Sequence, residues 1–192
     1  MKRAWIAGLS CALATLGGAM PAGLAADAPA AAAPSPEAER LIAQLEHPDA
    51  YQRQTSFMKL EMLREPATAP VFRSYLTNRN PDTRAFAVRA LAAVAGAQAV
   101  PDLVDCLKRD RHPRVRIAAI LALEPLADPA ILPALIDRLR DRHPEVRMAA
   151  LDAVSRVKDP RAKEAILARQ RRERHRDVQR VLTQAVQRVQ GS

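Results

Sequence analysis

From about Ser35 onward, apolar residues recur at three- and four-residue intervals, and no stretch alternates as a half-buried strand would. Aligned in phase, they fall into columns. Val88, Ile120 and Leu151 make one, and Leu91, Leu123, Val154 and Val186 another. Phe72, Leu103, Leu135 and Ile166 make a third, and Leu76, Leu107 and Leu139 a fourth. The pattern predicts two alternating kinds of helix. The first, A, spans about 48–63, 81–95, 113–126, 144–157 and 176–189. The second, B, spans about 36–46, 66–78, 97–109, 129–140 and 160–173. Every connection is short, as antiparallel neighbours require. A column of alanines (Ala90, Ala122, Ala153 and Ala185) predicts close approach of neighbouring A helices.

Helix starts are marked along the chain. Ser35-Pro36-Glu37 supplies a cap, a first-turn proline and an acid. Glu65-Pro66, Asp128-Pro129 and Asp159-Pro160 repeat that logic, and Gly96 takes the same slot before Ala97. Pro70, Pro101 and Pro133 recur about four residues further in, where proline forfeits little helical hydrogen bonding. The A helices open on a recurring phrase: Asn80-Pro81-Asp82-Thr83-Arg84, His112-Pro113-Arg114-Val115-Arg116, His143-Pro144-Glu145-Val146-Arg147, and a worn copy, His175-Arg176-Asp177-Val178-Gln179. The starts lie 32, 31 and 32 residues apart. A fixed period of this size means stacked units, none of which buries its apolar face alone. The expected fold is all-α, an α-solenoid of about four to five helical hairpins over residues 35–190. Its last copy is diluted by Arg180, Thr183 and Gln187, as suits a terminal repeat with one side in water.

The N-terminus has a different character. Lys2 and Arg3 precede an apolar run from Ala4 to about Met20, and small residues follow before the first acid, Asp27. This is the layout of a secretory signal peptide over residues 1–26, with cleavage after Ala25 or Ala26; the alternative is an uncleaved anchor, since Ala4 to Ala26 could just span a bilayer. Cys11 sits inside the apolar core rather than after it, which argues against lipidation. Residues 27–34 are almost wholly Ala and Pro and read as a tether that packs no core. Loss of the leader leaves 28 of the 30 basic residues against 21 acidic ones, a formal charge of about +7, and one cysteine, Cys106. No intrachain disulfide is then expected, and no later stretch is expected to reach the length of a membrane span.

Asp110-x-His112-Pro113-x-Val115-Arg116-x-Ala118-Ala119 and Asp141-x-His143-Pro144-x-Val146-Arg147-x-Ala149-Ala150 resemble the HEAT repeats, especially their short bacterial or lyase-like form. The resemblance covers about residues 35–190. It implies that loop acids and helix arginines form a ladder between repeats. Asp110, Arg116, Asp141 and Arg147 match that pattern, and Arg84 matches with Asn78 in the acid's place. Glu173 and Gln179 hold the last positions, where Gln179 weakens the case for a charged rung. It also implies that the B helices line the concave side.

Candidate chemistry is sparse. His112, His143 and His175 share one repeat phase, and His47 sits similarly. Stacked helices lie about 8–10 Å apart, whereas two ligands of one zinc ion need donors within about 4 Å, so a structural place before the helix is expected. The HEAT-repeat deoxyhypusine hydroxylases hold iron through His-Glu pairs; here the pairs are His-Pro. Cys106 reads as a small semi-exposed residue, or as a thiol activated by Lys108 and Arg109. No phosphate-binding glycine loop or nucleophile elbow is present. No catalytic residue, cofactor or metal is assigned.

The basic residues are organised. Lys108, Arg140 and Arg171 form one B-helix column, Arg138 and Arg169 an adjacent one, and Arg172 extends the cluster. Their bland role is to complement helix C-termini and keep the surface soluble; their functional role is a positive stripe. Nucleic acid is disfavoured by the leader and by the lack of exposed stacking aromatics. The sequence therefore points to an exported, periplasmic or secreted, non-enzymatic scaffold. It would bind a protein or acidic peptide in the cell envelope through a concave, basic B-helix face. The alternatives are an accessory subunit of a lyase-like modification enzyme, or a binder of anionic envelope polysaccharide or lipid headgroups. The phycobilin lyases that share these repeats act inside the cell, which an exported chain does not suit.

Overall fold

The computed structural model describes residues 33–126 and 129–190. The predicted leader, nearly all of the tether and the Asp128 cap lie outside them. The described residues form ten α-helices and no strand: α1 (Pro36–Gln44), α2 (Ala50–Leu63), α3 (Ala69–Tyr75), α4 (Pro81–Ala95), α5 (Val100–Arg109), α6 (Pro113–Leu123), α7 (Leu132–Arg138), α8 (Pro144–Arg156), α9 (Pro160–Gln170) and α10 (Arg176–Gln190). The odd-numbered helices are the predicted B set and the even-numbered ones the A set. They stack as two layers of an α-solenoid.

Three B helices start later than expected. One turn of 3-10 helix precedes α3, α5 and α7, at Pro66–Thr68, Gly96–Ala99 and Pro129–Ile131. Each of these α-helices carries a proline, Pro70, Pro101 or Pro133, at its first or second position. Proline has no N–H to return to the preceding turn, so that turn winds as 3-10 and the α-helix restarts at the proline. In α9 the equivalent position is Glu164, and the helix runs as α directly from Pro160.

The capping residues divide. Ser35, Asp49, Asn80 and Asp159 each accept a first-turn amide through the side chain. Glu65 does not cap. Its carboxylate instead accepts the Ser35 amide at 2.9 Å and hydroxyl at 2.6 Å, tying two helix starts together. Gly96 ends α4 with φ 52° and ψ −129°, a conformation that favours glycine.

The phased columns make one continuous core. Val88, Ile120, Leu151, Leu91, Leu123, Leu103 and Ile166 are fully buried, as are the column alanines within a few per cent. Phe57 joins Phe72, Tyr75 and Phe86 in an aromatic cluster at the N-terminal end, with centroids 5.3–6.2 Å apart. In length and mean hydropathy (1.4) the stretch Pro81–Arg109 reaches what a membrane span needs, contrary to the expectation for this part of the chain. It is two helices broken at Gly96, and their apolar faces are spent on the core.

The two layers differ in spacing. Successive even-numbered helices lie against one another along their length, while successive odd-numbered ones barely touch. The alanine column lies in the even layer and permits that approach.

Candidate functional site

The polar ladder runs forward along the chain. Arg84 donates to Asp110 through Nε at 2.7 Å and Nη2 at 2.9 Å. Arg116 donates to Asp141 at 2.8 and 2.7 Å, and Arg147 to Glu173 at 2.9 and 3.1 Å. Each arginine also caps its own loop: the Nη1 of Arg84, Arg116 and Arg147 donates to the carbonyls of Asn78, Asp110 and Asp141 respectively. Asn78 is therefore no surrogate acid, since Arg84 uses only its main chain. Glu173 does form a charged rung, made with the preceding repeat's Arg147, while Gln179 merely donates to the Glu173 carbonyl.

These carboxylates are committed. The Arg116 and Asp141 side chains are 5% and 4% exposed. Burial opposes ionisation of Glu173, yet hydrogen bonds from Arg147, the His175 amide and Arg169 outweigh it and pull the carboxyl down to about 2. Asp110 and Asp141 are held below the usual carboxylate range by the same balance, with burial overcome by their arginines and by the amides of His112 and His143.

Two of the predicted stripe residues belong to this framework. Arg169 donates to Glu173 through Nε at 3.0 Å and Nη2 at 2.5 Å. Arg138 lies 3.6 Å from Asp141, with its Nε buried and unpartnered among the described residues. Both are largely buried and not available for steering. Lys108, Arg140, Arg171 and Arg172 are exposed. Arg140, Arg169 and Arg172 meet at a cleft of about 270 Å³ between α7 and α9, floored by Ile136, Leu139 and Ala165.

A larger basic feature was hidden in the ladder motif itself. The turns read Arg109-Asp110-Arg111-His112, Arg140-Asp141-Arg142-His143 and Arg172-Glu173-Arg174-His175. In each, the acid points inward to a ladder arginine while both flanking arginines are exposed. Arg142 donates to the Arg111 carbonyl at 3.1 Å, so successive turns stack. With Arg79 in the preceding turn, one edge of the solenoid carries exposed arginines at four successive turns, though not at the first, Glu46-His47-Pro48-Asp49. Among the described residues, Arg79, Arg111, Arg140, Arg142, Arg172 and Arg174 have no carboxylate partner. Only Arg109 is paired, to Asp105 at 2.9 Å. The sequence held the signal in the residues flanking each loop acid.

Two of the histidines cap their own turns. His112 Nδ1 accepts the Arg114 amide at 3.3 Å, and His47 Nδ1 the Asp49 amide at 3.1 Å. Burial, with Asp110, Asp105 and Asp102 nearby, pushes the half-buried Cys106 thiol up to about 11. That runs against the activated-thiol reading: burial dominates, the nearby acids add to it, and Arg84 opposes both only in part.

The sequence matches the family model for HEAT repeats over residues 38–124 and again over 100–187. The chain belongs to the HEAT-repeat family. Its HEAT solenoid is similar to a chain in the structure of the complex of CpcE and CpcF of phycocyanin lyase from Nostoc sp. PCC7120. The TM-score is 0.65 at 22% identity, covering 77% of this chain and 96% of that one. No curated protein matches the sequence. The HEAT ladder and the arginine edge are thus two products of one repeated turn.

Proposed function

We propose that this HEAT-repeat protein is an exported, non-enzymatic scaffold that binds an acidic segment of a protein partner along its arginine edge. One observation carries the reading. The ladder consumes the acid of each turn internally, leaving the flanking arginines as a surface of one sign. Repeats spaced about 8–10 Å apart set one rung for roughly every three residues of an extended peptide. Lys108 and Arg171 widen the edge onto the odd-numbered helices, and the α7–α9 cleft gives it a local recess. Electrostatic steering of this kind raises association rates and weakens with salt. Likeness to a chain of a two-protein complex supports assembly with a protein partner.

The test is binding of the leaderless protein to a fluorescent glutamate-rich peptide. Affinity should fall by about tenfold or more between low and physiological salt, because exposed charges are screened over about 8–10 Å. The pair Arg142→Glu and Arg174→Glu should abolish most of that dependence with unchanged helicity. Salt-independent binding, or intact affinity in the double variant, contradicts the proposal. Anionic polysaccharide or phospholipid vesicles outcompeting the peptide would transfer the edge to an envelope component. The layout of residues 1–26 supports export, and the mature protein should have the mass of a chain beginning at Ala26 or Asp27. An intact leader in the purified native protein contradicts it. A second reading, an accessory subunit of a modification enzyme, is favoured by the fold likeness to the phycocyanin lyase complex. It predicts a chromophore or modified substrate co-purifying with the protein.

A further inference from the structure

Between the turns at 110–112 and 140–142 lies a notch of about 320 Å³ whose lining residues are all arginines and aspartates. An apolar ligand has nothing to bury against there. The ladder commits part of the lining: Asp110 pairs with Arg84, and Asp141 with Arg116. That leaves four guanidinium groups, those of Arg111, Arg138, Arg140 and Arg142, around one carboxylate, Asp137. Arg142 spans the two turns, its Nη2 donating to the Arg111 carbonyl at 3.1 Å, and so helps to hold the walls of the notch apart at a set distance.

Arg138 is the least exposed of the four, and its donors are not consumed. Its Nη1 stops 3.6 Å from Asp141, beyond hydrogen-bond reach, and its buried Nε donates to nothing among the described residues. The reason lies in the acid. Asp141 already accepts from Arg116 at 2.8 and 2.7 Å and from the His143 amide at 3.0 Å. In the following turn Glu173, one methylene longer, accepts from Arg147 and also from Arg169, the counterpart of Arg138. A desolvated donor without an acceptor is costly, and an incoming oxyanion supplies the acceptors that Asp141 does not.

We infer that this notch binds a phosphate group, free or as a monoester. Asp137 opposes any anion, but four guanidinium groups outnumber it and set the sign of the site. A carboxylate ligand offsets only one of the unmatched charges. A phosphate group carries about −1.5 to −2 near neutral pH and offers three strong acceptor oxygens. Planar guanidinium forks engage such oxygens in pairs, which a lysine ammonium does not, and arginine is the only basic residue type in the lining. The inference rests on the reading of the arginine edge as an anion-binding surface and gives one recess of that edge a ligand class of its own.

The test titrates the leaderless protein with inorganic phosphate, and with acetate as the carboxylate control, at fixed ionic strength and about pH 8, where a phosphate group is dianionic. Phosphate should bind more tightly than acetate by about tenfold or more, since each added acceptor oxygen gains charge-assisted hydrogen bonds. Backbone amide signals should shift at residues 110–112 and 138–142. Arg111→Gln with Arg140→Gln, both at exposed positions, should remove the preference with unchanged circular dichroism. Arg79→Gln with Arg174→Gln, on the edge but outside the notch, should weaken glutamate-peptide binding and leave the phosphate preference intact. Vesicles carrying phosphatidic acid separate the sources of the group. Recruitment that inorganic phosphate reverses assigns the notch to a lipid headgroup, and phosphate binding without recruitment assigns it to the free ion or a soluble ester. Equal binding of phosphate and acetate overturns the notch even if the glutamate peptide still binds the edge. A phosphate preference that survives Arg111→Gln with Arg140→Gln overturns it as well.

Discussion

Arg116 and Asp141 are the most buried of the ladder pairs, and they show why the loop acids are unavailable to a partner. Removing one member of such a pair leaves its partner charged and desolvated. Glu173 offers the sharpest test because two arginines depend on it. Glu173→Gln should cost roughly 3–5 kcal/mol at neutral pH, read from denaturant unfolding. The pH response has a definite sign. The carboxyl titrates at about 2 in the folded chain against an ordinary 4.5, so its contribution is complete above pH 4.5 and is lost as pH falls toward 2. The melting temperature should drop across that window, and Glu173→Gln should flatten the drop; an unchanged slope contradicts the assignment. The sequence named Arg84, Arg116 and Arg147 as ladder residues. Their direction was hidden, because each reaches an acid 25 or 26 residues ahead rather than the one beside it.

Helix identity was legible from the apolar period, and most starts from their Ser, Asp or Asn caps. The starts of α3, α5 and α7 were not. A proline four residues into a helical pattern forfeits little hydrogen bonding, yet the chain meets it by winding the first turn as 3-10. Gly96, expected just before the next helix, closes α4 at positive φ and also opens the 3-10 turn that leads into α5. Nothing lies within 4 Å of where its Cβ would be, so only backbone conformation resists substitution. Gly96→Ala should therefore destabilise by about 1–3 kcal/mol without disturbing the core. Chemical denaturation measures the loss, and a variant as stable as the parent would show that the turn relaxes.

At the scale of the whole molecule, repetition converts one local rule into extended surfaces. The turn motif produces a buried ladder and an exposed cationic edge together. The alanine column lets the even helices lie close together. The exposed apolar side chains of the even layer were not legible in the sequence. Tyr51, Met58 and Leu121 look like ordinary members of an apolar period until packing shows which positions the core leaves uncovered. The most direct test of the account is a backbone amide NMR titration of the leaderless protein with a short polyglutamate peptide at low salt. The account predicts shift changes concentrated at residues 79–80, 109–112, 140–143 and 171–175, reversed by salt. Changes spread evenly over the surface, or confined to positions away from those turns, would contradict it.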